Sequence, residues 1–219
     1  PMTMSDGAII ASHFEDAEQQ REAGLMGMWL FLATELLLFA GLFGGFAIYR
    51  GLHGDAFAAA ARHLDLPLAT ANTVILLTSG LSMALAERMA HAGAPQLARR
   101  WIAVTVALGA SFLAIKGYEW HHEYSEGLMP LLGLAFEYDG PDAAQAHLFF
   151  DFYFAMTGLH ALHMLIGLAA LVLLWMLGRP RAGLQPDRYI RQVQITGMYW
   201  AFVDVVWVFV FTSLYLLRS

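Results

Sequence analysis

Apolar positions run along this chain in five long blocks, each bounded by charged or polar punctuation. A bilayer core needs about 20 mainly apolar residues in a helix, and each block reaches that length. The first runs from about Gly24 to Tyr49, the second from Ala69 to Met89 and the third from Trp101 to Trp120. The fourth spans about Ala146 to Leu177 and the fifth about Ile195 to Leu217. The fourth is longer than a crossing requires, so tilt or an extension into water is expected. The reading is an all-α, polytopic membrane protein with two parts: a polar segment over 1–23 and a five-helix transmembrane domain over 24–219. The stretch Asp55–Leu64 predicts a short helix at the membrane surface or a plain loop.

Composition supports lipid as the solvent. Hydrophobic residues make up 58% of the 219 and charged ones 14%, against roughly 25% charged in soluble domains. The net charge of −6 leaves no basic stripe for a nucleic-acid backbone. No cysteine is present, which excludes thiolate zinc, iron–sulfur, c-type haem and cysteine-bridged dinuclear copper sites. The start is acidic (Asp6, Glu15, Asp16, Glu18, Glu22), unlike a signal peptide.

Positive charges sort the loops. Arg21, Arg88, Arg99, Arg100, Arg179, Arg181, Arg188 and Arg191 fall on the N-terminal side, and Arg50, Arg62, Lys116 and Arg218 on the other. The bias predicts a cytoplasmic N-terminus and an external C-terminus. The loop after the third helix carries Glu123, Glu126, Glu137, Asp139 and Asp142 without a basic residue. It reads as a solvated loop or as a guide for a basic protein partner.

Ionisable residues at membrane depth are costly and become candidates for function. Glu35 lies about ten residues, roughly 15 Å, into the first helix. It reads as a proton-exchanging or gating carboxylate, or as a hydrogen-bonded acid tying helices together. Asp204 sits among Trp200, Phe202 and Trp207 and reads chiefly as a tie to an indole N–H. His160 and His163 share a helical face and offer half a tetrahedral metal site, which Glu35 or Asp204 would complete. Hydrogen bonding within the bundle is the plainer account of the pair. Lys116 and Glu119 read as a local ion pair with a snorkelling lysine. Gly41 and Gly45 suggest a close-packing seam, and Asn72, Thr73, Thr78, Ser79 and Ser82 suggest interhelical hydrogen bonds. No catalytic constellation is visible. A proton-coupled transporter and a histidine-based metalloenzyme remain open on these residues alone, the former calling for inverted repeats with broken helices.

Four stretches add a resemblance. Tyr199-Trp-Ala-Phe-Val-Asp204-Val-Val-Trp207 with Thr212-Ser-Leu-Tyr215, and Phe149-Phe150 with Thr157-Gly-Leu-His160-Ala-Leu-His163, resemble cytochrome c oxidase subunit III. Leu66-Pro67 with Asn72–Ser79, and Trp29–Glu35 through Gly41, are similar to the same family in order and spacing, as is Tyr118-Glu119. The match runs from about residue 24 to 217 and looks like the five-helix bacterial form. Two positions depart from the family pattern: Ala201 stands where it carries His, and Asp151 where it carries a small or apolar residue.

The resemblance implies an accessory subunit of a haem–copper terminal oxidase in the bacterial inner membrane. It would hold no metal or redox cofactor itself, with haem and copper in subunit I, and subunit II in the same complex. Quinol oxidases and proteins accompanying nitric oxide reductase belong to the same family. It further implies two helix groups, helices one and two against three to five, with phospholipid in a cleft between them and Arg99 or Arg100 near a headgroup. Glu35 would be the buried functional carboxylate facing subunit I. Glu119, His160, His163, Asp204 and Trp207 would be structural or lipid-cleft residues.

Overall fold

The computed structural model describes residues 3–5, 8–10, 17–130, 136–140, 142–177 and 186–216. Five of its helices are long and apolar enough to cross a membrane: α1 (Ala17–Leu52), α3 (Leu66–His91), α4 (Pro95–Ser125), α5 (Ala143–Leu177) and α6 (Pro186–Phe211). A short helix α2 (Gly54–Ala61) follows α1, and a π-helical turn (Thr212–Leu216) extends α6. The five spans match the hydropathy blocks, and most extend past them into polar flanks. α1 begins within the 1–23 segment, and a small antiparallel ribbon, β1 (Thr3–Ser5) with β2 (Ala8–Ile10), precedes it. Asp6-Gly7 separates the two strands in sequence, a dipeptide favoured in two-residue hairpin links. Arg179, Arg181, Arg218 and Leu217 lie outside the described residues.

Local chemistry sets the helix ends. Asp65 caps α3 by accepting from Leu68 N at 2.9 Å, with Pro67 in the first turn. Between α3 and α4 the chain reverses in three residues, with Gly93 at φ +71° and Pro95 opening α4. Only a residue without a Cβ takes that conformation cheaply, and the reversal sets the two helices antiparallel and side by side.

That placement corrects the expected grouping. α3 packs on α4 more extensively than on any other element, and α6 also packs on α3. Small residues permit the approach: Ser79, Ser82, Ala86 and Ala90 on α3, and Ala98, Thr105 and Gly109 on α4, are buried. Ser82 Oγ and Thr105 Oγ1 lie 2.7 Å apart, and Asn72 Nδ2 donates to Phe112 O at 3.2 Å. Helices two and three of the membrane set are thus in direct contact, with no lipid cleft between them. The bundle is a ring of α3, α4, α5 and α6, with α1 lying in the groove between α5 and α6.

Trp200 of α6 sits at the centre of the ring. A Cβ on Gly109 of α4 would come within 2.8 Å of its ring, and one on Gly167 of α5 within 3.0 Å. Its indole N–H donates to Ser79 Oγ at 3.1 Å, so the slot holds it on three sides.

α1 attaches by a narrow stripe. Among its buried or half-buried positions, Met28, Leu32, Glu35, Phe39, Leu42 and Phe46 follow one another at alternating steps of four and three, the spacing of a coiled-coil seam. The glycine seam is only half used. Gly45 faces the Phe152 ring, with 3.3 Å left for a Cβ, whereas Gly41 meets nothing. α2, apolar and largely buried, packs on α5, with Phe57 against Phe149.

Candidate functional site

Heptad spacing on α1 aims Glu35 inward, and α5 supplies its partner. Glu35 Oε2 lies 2.9 Å from His163 Nε2. The other ring nitrogen, Nδ1, is 2.8 Å from Leu159 O. A carbonyl only accepts, so Nδ1 carries a proton and donates. The Nε2···Oε2 contact then holds one proton between the two groups, on whichever atom it rests. Tyr199 of α6 donates to the His163 carbonyl at 3.1 Å, and the Phe39 ring covers the imidazole at 5.2 Å. The sequence reading named both residues; the structure brings them together.

His160 goes the other way. It is 1% exposed and lies between the Phe112 and Trp207 rings, and neither ring nitrogen has a hydrogen-bond partner among the described residues. The two histidines therefore do not converge on one point. Among the described residues no group of three His, Asp or Glu side chains is arranged to hold a metal ion.

Asp204 faces Gly80 of α3, where any Cβ would collide with its carboxylate. Its Oδ1 is buried without a hydrogen-bond partner among the described residues. The expected indole tie is absent: Trp207 N–H donates to Thr73 Oγ1 at 2.9 Å and Trp200 N–H to Ser79. Tryptophans on α6 are bonded to hydroxyls on α3, which sit one helix away at matching height. Ala201 is exposed, so the histidine missing there leaves the outer face of α6 apolar. Asp151 finds a local partner, with His147 Nδ1 at 3.0 Å one turn earlier.

A second cluster fills the half of the ring nearer the α4–α5 loop. Lys116, Glu119 and Glu123 lie along one face of α4 and are each 2–3% exposed. Lys116 Nζ lies 3.2 Å from Glu119 Oε2 and donates to the hydroxyls of Tyr153 (2.9 Å) and Tyr215. Both hydroxyls in turn donate to Glu119 Oε1, Tyr153 at 3.0 Å. The lysine is therefore an interior cation and does not snorkel. Three aromatic rings, those of Tyr153, Tyr215 and Trp207, lie within 5.5 Å of its nitrogen and supply part of what water would have given. Sequence reading missed Glu123, Tyr153 and Tyr215 in this cluster. The spacing i, i+3, i+7 of the three charged residues was the available signal.

At the opposite end, Arg99 Nε donates to Trp175 O at 2.9 Å, and its guanidinium stacks on the Trp175 ring at 4.3 Å. A cation there neutralises carbonyls near the C-terminus of α5. Arg100 is exposed. Outside the spans, the Tyr138 phenol is pushed above its ordinary value by burial and then by the nearby Asp142 carboxylate.

Comparison with known proteins agrees with this architecture. The family model for cytochrome c oxidase subunit III matches residues 5–219. Relatives include the cytochrome bo(3) ubiquinol oxidase subunit 3 of Pseudomonas aeruginosa, 31% identical over 97% of this chain and 98% of the relative. The cytochrome c oxidase subunit 3 of Alkalihalophilus pseudofirmus is 32% identical over 95% of this chain and 93% of its own. That of Thermostichus vulcanus is 30% identical, covering 97% and 96%. A family match over nearly the whole chain, with relatives of similar length throughout, shows that the chain belongs to the cytochrome c oxidase subunit III family.

Proposed function

We propose that this chain is the accessory, non-redox subunit III of a bacterial haem–copper terminal oxidase, and that Glu35 tunes the partner subunit without entering the chemistry. The observation that carries this is the Glu35–His163 contact, a proton-sharing pair at mid-membrane on the outlying helix. Such a pair changes local polarity without a net charge, which suits a residue beside an oxygen-reducing subunit.

Haem and copper belong to subunit I in this reading, and subunit II completes the assembly. Loop charges support a cytoplasmic N-terminus and an external C-terminus in the inner membrane. Exposed Arg100, at the membrane edge, is suited to a phospholipid headgroup, since Arg99 is already engaged by Trp175. Relatives bear both cytochrome c and ubiquinol oxidase names, and the electron donor is decided by another subunit. Intact α1, α3, α4, α5 and α6 disfavour the transporter reading, which needs broken helices.

The test is purification of the complex through a tag on this chain. Co-purification of haem-bearing and copper-bearing chains with oxygen-reducing activity supports the reading. Recovery of this chain without them overturns it.

A further inference from the structure

Lys116, Glu119, Tyr153 and Tyr215 bond to one another and leave one neighbour short of donors. Glu123 is one turn beyond Glu119, 3% exposed, and neither carboxylate oxygen has a hydrogen-bond partner among the described residues. The donors of the cluster already have other partners. Each tyrosine has a single O–H, and both give it to Glu119 Oε1; the Tyr153 hydroxyl also approaches Glu123, but one proton cannot serve both carboxylates at once. Lys116 gives two N–H groups to the two hydroxyls and forms an ion pair with Glu119 Oε2 at 3.2 Å. A buried acceptor left unpaired costs about 1–3 kcal/mol, and more if charged, so something other than these side chains satisfies Glu123.

Its position indicates what. Glu123 lies in the last turn of α4, which ends at Ser125. The chain folds directly over it: Leu128 N donates to Glu123 O at 3.0 Å, and Glu137 N donates to Gly127 O at 3.0 Å. Glu123 lies two residues from the end of its helix, and Leu128 of the following turn is buried. Lys116 lies seven residues, roughly 10 Å, deeper.

A cation fits poorly, because the Lys116 ammonium already pairs with Glu119 and, among the described residues, no third acidic ligand converges. An anion would be repelled by Glu119 and Glu123. Water meets the need: a buried water takes two to four polar partners. The Glu123 oxygens provide two. Glu119 Oε2, which lies beside the ammonium without a well-aligned hydrogen bond, provides a third.

We propose that Glu123 anchors an internal water site beneath the α4–α5 loop, and that through this water the buried Lys116–Glu119–Tyr153–Tyr215 network exchanges a proton with the aqueous phase. A proton arriving as hydronium adds to a Glu123 carboxylate oxygen and leaves water behind. Its return reverses the step, and no electron moves. The site is distinct from the Glu35–His163 pair, which lies on the α1 side of α5.

The complete oxidase complex is the material for the test. Its experimental structure, resolved well enough to show ordered solvent, should place water within hydrogen-bond distance of Glu123. Infrared spectra of the wild-type complex and of E123Q should differ by one carboxyl signal, and transfer to D2O should shift that signal within minutes. E123Q keeps shape and size, so loss of the signal is not a folding defect. A dry Glu123, a direct contact between Glu123 and a side chain of another subunit, or a carboxyl signal unmoved after hours in D2O would each overturn the proposal.

Discussion

Glu35 of α1 meets His163 of α5 at 2.9 Å, and the same imidazole is fixed from behind by the Leu159 carbonyl. The carboxyl is therefore held by a ring that cannot turn away without breaking a second bond. Glu35→Gln preserves the contact, because an amide N–H can donate to Nε2 while the exchangeable acid is gone. The initial oxygen-reduction rate of the assembled E35Q complex should stay close to wild type, with at most a change in how long activity lasts. Oxygen consumption followed over many turnovers checks this. Immediate loss of nearly all activity, with subunits and haems in normal amounts, would mean that Glu35 performs an obligatory proton step.

Gly109→Ala should destabilise the bundle by about 1–3 kcal/mol, the usual cost of overpacking a core. The added Cβ would press on both Trp200 and Leu168. Gly117→Ala on the same helix meets nothing within 4 Å and should be neutral or slightly stabilising, since alanine is the better helix former. Thermal unfolding in detergent, with the two variants side by side, separates packing from propensity.

Removing Lys116 alone should be severe. Lys116→Met strips Glu119 of its cation inside the bundle, and breaking a buried pair costs about 3–5 kcal/mol. The double variant K116M/E119Q removes both charges and should recover much of that loss. Retention of the chain in the purified complex, measured for both singles and the double, reads the coupling. Damage in the double variant equal to the sum of the two singles would show that the two residues act independently.

Ser82→Ala and Thr105→Val each delete one side of the 2.7 Å hydroxyl contact between α3 and α4. Interhelical hydrogen bonds in membranes average about 0.6 kcal/mol, so each should cost about that much and the pair little more. Cross-linking of cysteines placed at positions 86 and 98 should succeed in native membranes if α3 and α4 remain in contact there. Failure, with lipid recovered between them, would reinstate a cleft.

Much of this architecture was legible before any coordinates. Five spans follow from apolar runs of sufficient length, and Glu35 stands out because nothing else on its helix is charged so deep. Hydropathy, however, treats lipid and a neighbouring helix as the same solvent. It could not distinguish a cleft between α3 and α4 from a seam, although Ser79, Ser82, Ala86 and Ala90 repeat at the spacing that small-residue packing requires. The partnership of Glu35 with His163 depends on the height of one helix against another, which no local pattern encodes. Lys116 was misread for a related reason. A lysine near a helix end is expected to reach for headgroups, unless tyrosines from two other helices are waiting at its depth.

The stripe by which α1 is held has a consequence for how the protein is made. Among the other spans it packs chiefly on α5 and α6, the last two helices of the bundle to leave the ribosome, rather than on α3, the next span in line. Chains are synthesised from the N-terminus. The first helix must therefore enter the bilayer and wait there, solvated by lipid on every side, with Glu35 still lacking His163. Its broad apolar surface, including Trp29, Leu30, Leu37 and Ile48, makes that wait tolerable. α1 enters the bilayer well before the two helices that capture it, and its capture marks completion of this five-helix bundle.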